Sequence, residues 1–363
     1  MKIIVNRESL LDVVNVARLA IPSRTPKPLL QCVHIKAESD KLEASGTDLE
    51  QYIHASTAMV QIEQAGESAV DAEKLAQILD RTDDDTVHIE SDGRMMKVST
   101  NDAAFKLYEQ PAKDFPSEPT VYEPVVRNIA AGQLQTLFDR TGFAVANEKH
   151  RYAFNGILMV MDGPDVTAIS TDGRRLAKAS TVAERSDKKV NVILPIAVVK
   201  AFGSADIDAD SVVTIEASEN RLSFATDAVR ISTALLEGQF PPYEDVIPKD
   251  CDRVATLPRQ AFDRALRQAA LMTNEESKGV RMEFTSKGLS IQSRSPEMGE
   301  ATINFPCKYQ GADIEIAFNP TFLIEAINAC DADEITLSMT APNWPGRIDA
   351  ESYCSVLMPV NLM

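Results

Sequence analysis

The sequence predicts an α+β protein made of three copies of one unit, each with two helices and several short antiparallel strands. Three observations carry that reading. Apolar pairs recur 124 residues apart, at Val13-Val14, Leu137-Phe138 and Ala261-Phe262. The single positions Leu75, Val199 and Leu323 repeat at the same interval. An acidic turn leading into an alternating strand occurs three times: Asp83-Asp84-Asp85 before Val87-His88-Ile89-Glu90, Asp208-Ala209-Asp210 before Val213-Thr214-Ile215-Glu216, and Asp331-Ala332-Asp333 before Ile335-Thr336-Leu337-Ser338. A fixed long period marks an internal repeat.

Apolar spacing of three and four residues predicts a first helix in each copy, over Leu10–Ala20, Gly132–Ala146 and Pro258–Leu271. It predicts a second over Ala72–Arg81, Pro195–Gly203 and Pro320–Cys330. Alternation after each acidic turn gives strands with one buried face. Thr47-Asp48 and Thr171-Asp172 also stand one period apart. Polar, proline-containing joints mark the boundaries. One is Phe115-Pro116-Ser117-Glu118-Pro119; the other runs from Pro241-Pro242-Tyr243 to Pro248-Lys249-Asp250. They divide the chain into 1–122, 123–249 and 250–363.

The chain has 363 residues, 37 basic and 54 acidic, for a formal charge of −17. With 44% apolar and 25% charged residues it reads as globular rather than disordered. The longest apolar run, near Val192–Val199, is too short for a membrane helix, which needs roughly 20 residues. Arg7 and Glu8 interrupt the N-terminus before a signal-peptide core, so a cytoplasmic protein is expected. Cys32, Cys251, Cys307, Cys330 and Cys354 are odd in number and lack metal-ligand spacing, which predicts buried thiols. His34, His54 and His88 alternate with apolar residues as strand positions do; His150 is the fourth histidine. No GxGxxG, G-K-[ST], HExxH or G-x-S-x-G occurs, so no cofactor, metal site or catalytic residue is expected. The paired carboxylates of the acidic turns read as solvated turns. The enzymatic alternative is a site assembled from dispersed residues.

Three stretches resemble one family: Ser170-Thr171-Asp172-Gly173-Arg174-Arg175-Leu176-Ala177; Glu237-Gly238-Gln239-Phe240-Pro241 with Val246-Ile247-Pro248; and Val356-Leu357-Met358-Pro359-Val360-Asn361-Leu362. Together with the triplication they are similar to the bacterial DNA polymerase III β subunit, the sliding clamp, over the whole chain. The resemblance implies three clamp domains, each with two helices on an inner face and antiparallel sheets outside, and a head-to-tail homodimer closed into a ring. Twelve helices about 10 Å apart would enclose a hole of roughly 28 Å, wide enough for a duplex. It implies a non-enzymatic processivity factor on duplex DNA, without sequence preference, that tethers the replicative polymerase α subunit. The clamp loader, other polymerases and repair proteins would be further partners. The alternative is a peptide-binding scaffold of the same fold that does not encircle DNA.

Charge agrees in sign with an encircling ring. The six helical windows hold eight basic and six acidic residues, a net of +2 that leaves −19 for the rest. By resemblance, Arg24 and the Arg151-Tyr152 pair would contact DNA, and Lys149, as compensation for a weakly basic face, and the helix cation Lys200 are expected to join them. Ala153 stands where the family often has Tyr, and Ile196-Ala197 where a basic pair is common. The better-marked site is a peptide pocket. The resemblance places Phe154, Thr171, Gly173, Arg174, Arg175 and Leu176 in it, with Pro241 and Val246 from the proline segment. Val356, Met358, Pro359 and Val360 would come from the tail. Asp172-Gly173 is a turn signal, Pro241 makes a rigid wall without a donor, and Met358 adapts to partners of different shape. The resemblance implies that the pocket takes a short extended peptide bearing Gln and a Leu/Phe pair, as polymerases and loader subunits carry in this family. Asp245 stands where the family commonly has a basic residue, and Asn361 where it often has Arg.

Overall fold

The computed structural model describes residues 1–146, 154–273 and 279–361. Six α-helices lie among them: α1 (Arg7–Arg18), α2 (Ala72–Asp80), α3 (Ala131–Thr141), α4 (Ile196–Ser204), α5 (Arg259–Ala270) and α6 (Pro320–Asn328). Each overlaps one of the six predicted windows, with α1 starting three residues before its window and α3 and α4 overrunning theirs by one residue each. α3 ends ten residues into its window, and Gly142–Ala144 continues it as one 3₁₀ turn. The helix starts are capped where the sequence offers a short polar side chain. Asn6 accepts from the Ser9 amide at 2.9 Å, Asp71 from the Lys74 amide at 2.8 Å, and Asn319 from the Thr321 amide at 2.9 Å.

The acidic turns meet these helix starts. The Arg7 amide donates to the Asp85 carbonyl at 2.9 Å, Ala131 to Ser211 at 2.9 Å, and Arg259 to Asp333 at 2.8 Å. These are the first residues of α1, α3 and α5, whose first-turn amides lack a partner within the helix. Acidic side chains nearby also suit the positive end of a helix.

The chain forms two compact units, Met1–Gln135 with Ala197–Leu235, and Thr136–Ile196 with Leu236–Met363. The first holds a thirteen-stranded sheet that runs from Val125–Ala130 at one edge to Val60–Gln64 at the other, with antiparallel neighbours. Leu10 and Val14 of α1 and Leu75 and Leu79 of α2 pack on Ile3, Val33, Ile35, Val87 and Ile89. Each such side chain contributes about 1.5–3 kcal/mol on burial. Gly46 is required where α1 crosses the sheet, since a Cβ there would lie 2.1 Å from the Ala17 carbonyl oxygen. The second unit holds a seven-stranded sheet and a four-stranded one. α5 packs on α6 and on the strands Gly288–Ser295 and Gly299–Phe305, with Phe262 5.8 Å from Phe305.

The repeat reappears in the strand register. In the first unit Val229–Ala234 pairs with Gln51–Thr57, from Val229 opposite Ala55 to Thr233 opposite Gln51. In the second, Tyr353–Leu357 pairs with Arg175–Pro195, from Tyr353 opposite Ala179 to Leu357 opposite Arg175. Both strands of the second pairing lie 124 residues beyond those of the first. The sheet of one copy is thus continued by a strand of the next, and the middle copy is shared between the two units.

All five cysteines are unbridged, but only Cys32 and Cys330 are buried. Cys251, Cys307 and Cys354 are half-buried, against expectation: Cys354 lies in a strand, Cys251 and Cys307 in connecting segments, and in each the backbone carries the thiol near the surface. His34, His54 and His88 lie in strands, and His150 falls outside the described residues.

Candidate functional site

Two long strands, Gly156–Thr171 and Arg175–Pro195, form a hairpin in the second unit whose tip is Asp172-Gly173-Arg174. Side chains build this tip. Asp172 Oδ1 accepts from the amides of Arg174 and Arg175 at 2.9 and 3.0 Å. Thr171 Oγ1 donates to the Arg175 carbonyl at 2.7 Å and accepts from the Gly173 amide at 3.1 Å. Gly173 sits at φ +86°, in the left-handed region that only glycine enters without strain.

The Thr47–Gln51 turn makes the same four bonds one period earlier, with Thr47 Oγ1 to the Gln51 carbonyl at 2.6 Å and the Gln51 amide to Asp48 Oδ1 at 2.7 Å. Leu49 replaces the glycine there, at φ +84°.

Beside the second tip lies a concavity of about 200 Å³. Of the twelve side chains expected in the pocket, ten line it: Phe154, Thr171, Gly173, Arg174, Arg175, Leu176, Pro241, Val246, Val356 and Met358. Its floor is an apolar cluster of Ile169, Leu176, Ile193, Phe240 and Val356. Val246 and Met358 remain 49% and 43% exposed at its mouth, so apolar surface beside the concavity is open to a partner. The tail reaches the site as a sheet strand, and the Met358 amide then donates to the Arg174 carbonyl at 2.9 Å. Pro359 and Val360 do not line it. The Val360 amide donates to the Ala317 carbonyl at 2.8 Å, which carries the tail away from the tip.

Sequence reasoning missed Pro242 and Tyr243 in this wall. Tyr243 packs edge-on against Phe240 with centroids 6.5 Å apart, and the Lys178 ammonium lies 5.8 Å from its ring centre. Burial and the neighbouring Glu244 push its hydroxyl pKa up. A Pro-Pro-aromatic run at a joint was the available signal.

Arg174 and Arg175 differ sharply. Arg174 is exposed and has no ion pair among the described residues. Arg175 is 9% exposed, and its guanidinium is taken up inside the unit. It donates to Asp172 Oδ2 at 3.1 Å, to the Phe143 carbonyl at 2.6 Å and to Glu325 of α6. The Phe322 ring lies 4.3 Å from it and the Phe143 ring 5.3 Å. Its chemistry is therefore to clamp the hairpin tip to α6.

Of the side chains expected to touch DNA, Arg24 and Lys200 are exposed in the first unit, on the segment after α1 and on α4. Lys149, Arg151 and Tyr152 lie outside the described residues. Several helix cations are paired within the chain. Arg18 bonds Asn15 at 2.8 Å and also Glu73; Arg140 bonds Asp331 at 3.0 Å; Arg267 bonds Asp263 at 2.8 Å. No group of residues suited to holding a metal ion occurs among the described residues, and no helix there is long and apolar enough to cross a membrane.

Comparison with known proteins covers nearly the full length. Family models for the N-terminal, central and C-terminal domains of the DNA polymerase III beta subunit match residues 1–119, 128–242 and 244–360. The beta sliding clamp of Pseudomonas putida is 29% identical over 366 residues, with 99% of each chain covered. That of Escherichia coli is 27% identical over 367 residues, with all of each chain covered. The crystal structure of the DNA polymerase III subunit beta from Pseudomonas aeruginosa superposes with a TM-score of 0.94 at 28% identity, over all of both chains. The sliding clamp of Bacillus subtilis shares the fold at a TM-score of 0.95.

Proposed function

The chain belongs to the DNA polymerase III beta subunit family, the DNA sliding clamps, and we propose that it acts as a non-enzymatic homodimeric ring that holds the replicative polymerase on duplex DNA. The division into clamp domains at 1–122, 123–249 and 250–363 is part of this reading. The groove at the hairpin tip carries it. Ten side chains from three distant stretches meet in one apolar concavity with exposed Met358 and Val246 at its mouth. That arrangement suits capture of a short apolar peptide far better than chemistry on a small molecule.

The chain's own residues limit the hold on DNA. With Arg18, Arg140 and Arg267 engaged internally, five of the eight basic residues in the predicted helical windows, Lys74, Arg81, Lys200, Arg259 and Arg264, are left for phosphate. Tight phosphate contacts would oppose sliding. Encirclement supplies persistence by topology instead, with Arg24, Lys200, Lys149, Arg151 and Tyr152 making light contacts. Closure on DNA falls to an ATP-driven loader, since the chain carries no nucleotide-binding motif. The polymerase α subunit, the loader, other polymerases and repair proteins would share the groove, in the cytoplasm where the chromosome lies.

Ring closure is tested by loading the protein onto a nicked circular plasmid and then linearising it. Retention on the circle and loss from the linear form is expected; equal retention on both would refute encirclement. Deleting Met358 and all that follows should abolish binding of a fluorescent peptide carrying Gln and a Leu-Phe pair while the far-ultraviolet circular dichroism stays unchanged. Undiminished affinity would show that the groove is elsewhere.

A further inference from the structure

We propose that Glu244 and Asp245 make this groove select partner segments that carry a lysine or arginine beside their apolar anchors. The inference rests on the peptide-binding reading of the groove and concerns which peptides it takes.

The placement is direct. Tyr243 and Val246 both line the concavity, and Glu244 and Asp245 stand between them in a single 3₁₀ turn, Glu244–Val246. Both carboxylates are exposed, and neither is in an ion pair among the described residues. Two cations lie near this rim, and Lys189 also feels the charge of Glu244. Lys189 is bound to Asp162 at 2.9 Å, and Lys178 lies on the Tyr243 ring. On the hairpin wall, Arg175 is consumed by Asp172 and Glu325, while Arg174 is exposed without an ion pair. The mouth therefore offers two carboxylates on the proline-rich wall and one guanidinium at the tip.

An extended segment whose apolar side chains fill the concavity must pass between these walls. A basic residue next to its anchors on the Glu244–Asp245 side gains attraction, and an acidic one is repelled. Rim charges of this kind act through association rate and partner discrimination more than through total affinity. Exposed pairs are individually weak, so the two carboxylates together should separate basic from acidic flanks by about five- to tenfold at low salt.

The test uses three fluorescein-labelled peptides that share one Gln and Leu-Phe core and differ only in two flanking residues: lysines, glutamines or glutamates. Fluorescence anisotropy with the full-length protein should rank them lysine, glutamine, glutamate, and the spread should shrink at about 0.5 M salt, where exposed charges are screened. E244Q/D245N should erase the ranking and E244K/D245K should invert it, with the glutamine-flanked peptide bound about equally by all three proteins. A flat ranking in the parent protein, or one that survives both variants, overturns the inference and leaves the groove standing, provided that the glutamine-flanked peptide binds and loses affinity in M358A. If no peptide binds, the groove reading and this inference fall together.

Discussion

Arg175→Met should destabilise the second unit by about 3 kcal/mol and weaken peptide binding along with it. The figure follows from what the guanidinium holds. It bonds Asp172 at 3.1 Å, the Phe143 carbonyl at 2.6 Å and Glu325, and lies against the Phe322 ring at 4.3 Å. Removing one member of a buried ion pair costs about 3–5 kcal/mol, because its partners are left without a counter-charge. Glu325 is 39% exposed and can return to water, which puts the value at the low end. Methionine refills the space between the two phenyl rings, so little of the loss is cavity. Arg175→Lys keeps the charge but replaces a planar fork by a single point, and cannot serve all three acceptors; about 2 kcal/mol should go. Urea unfolding followed by circular dichroism measures both, with a lower midpoint and an unchanged slope expected. Anisotropy on the folded variants then reads the displaced tip as reduced peptide affinity. A variant within about 0.5 kcal/mol of the parent would refute the clamping role, since such a value is ordinary for a surface substitution.

Leu49 occupies a left-handed conformation that costs a non-glycine residue about 1–2 kcal/mol. Leu49→Gly should therefore raise the stability of the first unit by about 0.5–1 kcal/mol after the extra chain entropy of glycine, read as a higher thermal midpoint; a lower one would show that the exposed leucine side chain contributes more than the strain. Burial lowers the pKa of His34 and His54 in the same unit, against the opposing pull of Glu67 on the first and Glu43 on the second. The unfolded chain then takes up protons first, so stability should fall as pH drops below the ordinary histidine value of about 6.5. Urea midpoints at a series of pH values check this, and H34N/H54N should flatten the slope; a midpoint that rises on acidification would contradict the burial argument.

The repeated skeleton was legible because helix and strand periodicity live in local sequence. Val14, Phe138 and Phe262, read as equivalent, are all buried to within 1%, and the strands after the acidic turns bury Val87, Val213 and Ile335. The groove was legible through three stretches whose resemblance to a family named their residues in advance. What stayed hidden depends on side-chain direction or on backbone pairing. Two adjacent arginines look alike in sequence, yet Arg174 ends the exposed tip turn while Arg175 opens a strand whose first three residues are buried. Nothing in the composition of Val229–Ala234 says that it pairs with Gln51–Thr57, since main-chain hydrogen bonds carry no residue code. The Leu49 turn conceals its strain because Thr47 and Asp48 supply the same bonds that Thr171 and Asp172 supply around a glycine.

The two junction ladders, Val229–Ala234 on Gln51–Thr57 and Tyr353–Leu357 on Arg175–Pro195, carry a mechanical consequence. A force tending to part neighbouring copies must unzip five paired positions at each ladder before the joint yields. Within each ladder the load is shared among several main-chain hydrogen bonds, so the joint between copies should be stiffer than its proline-containing connecting segment alone would make it.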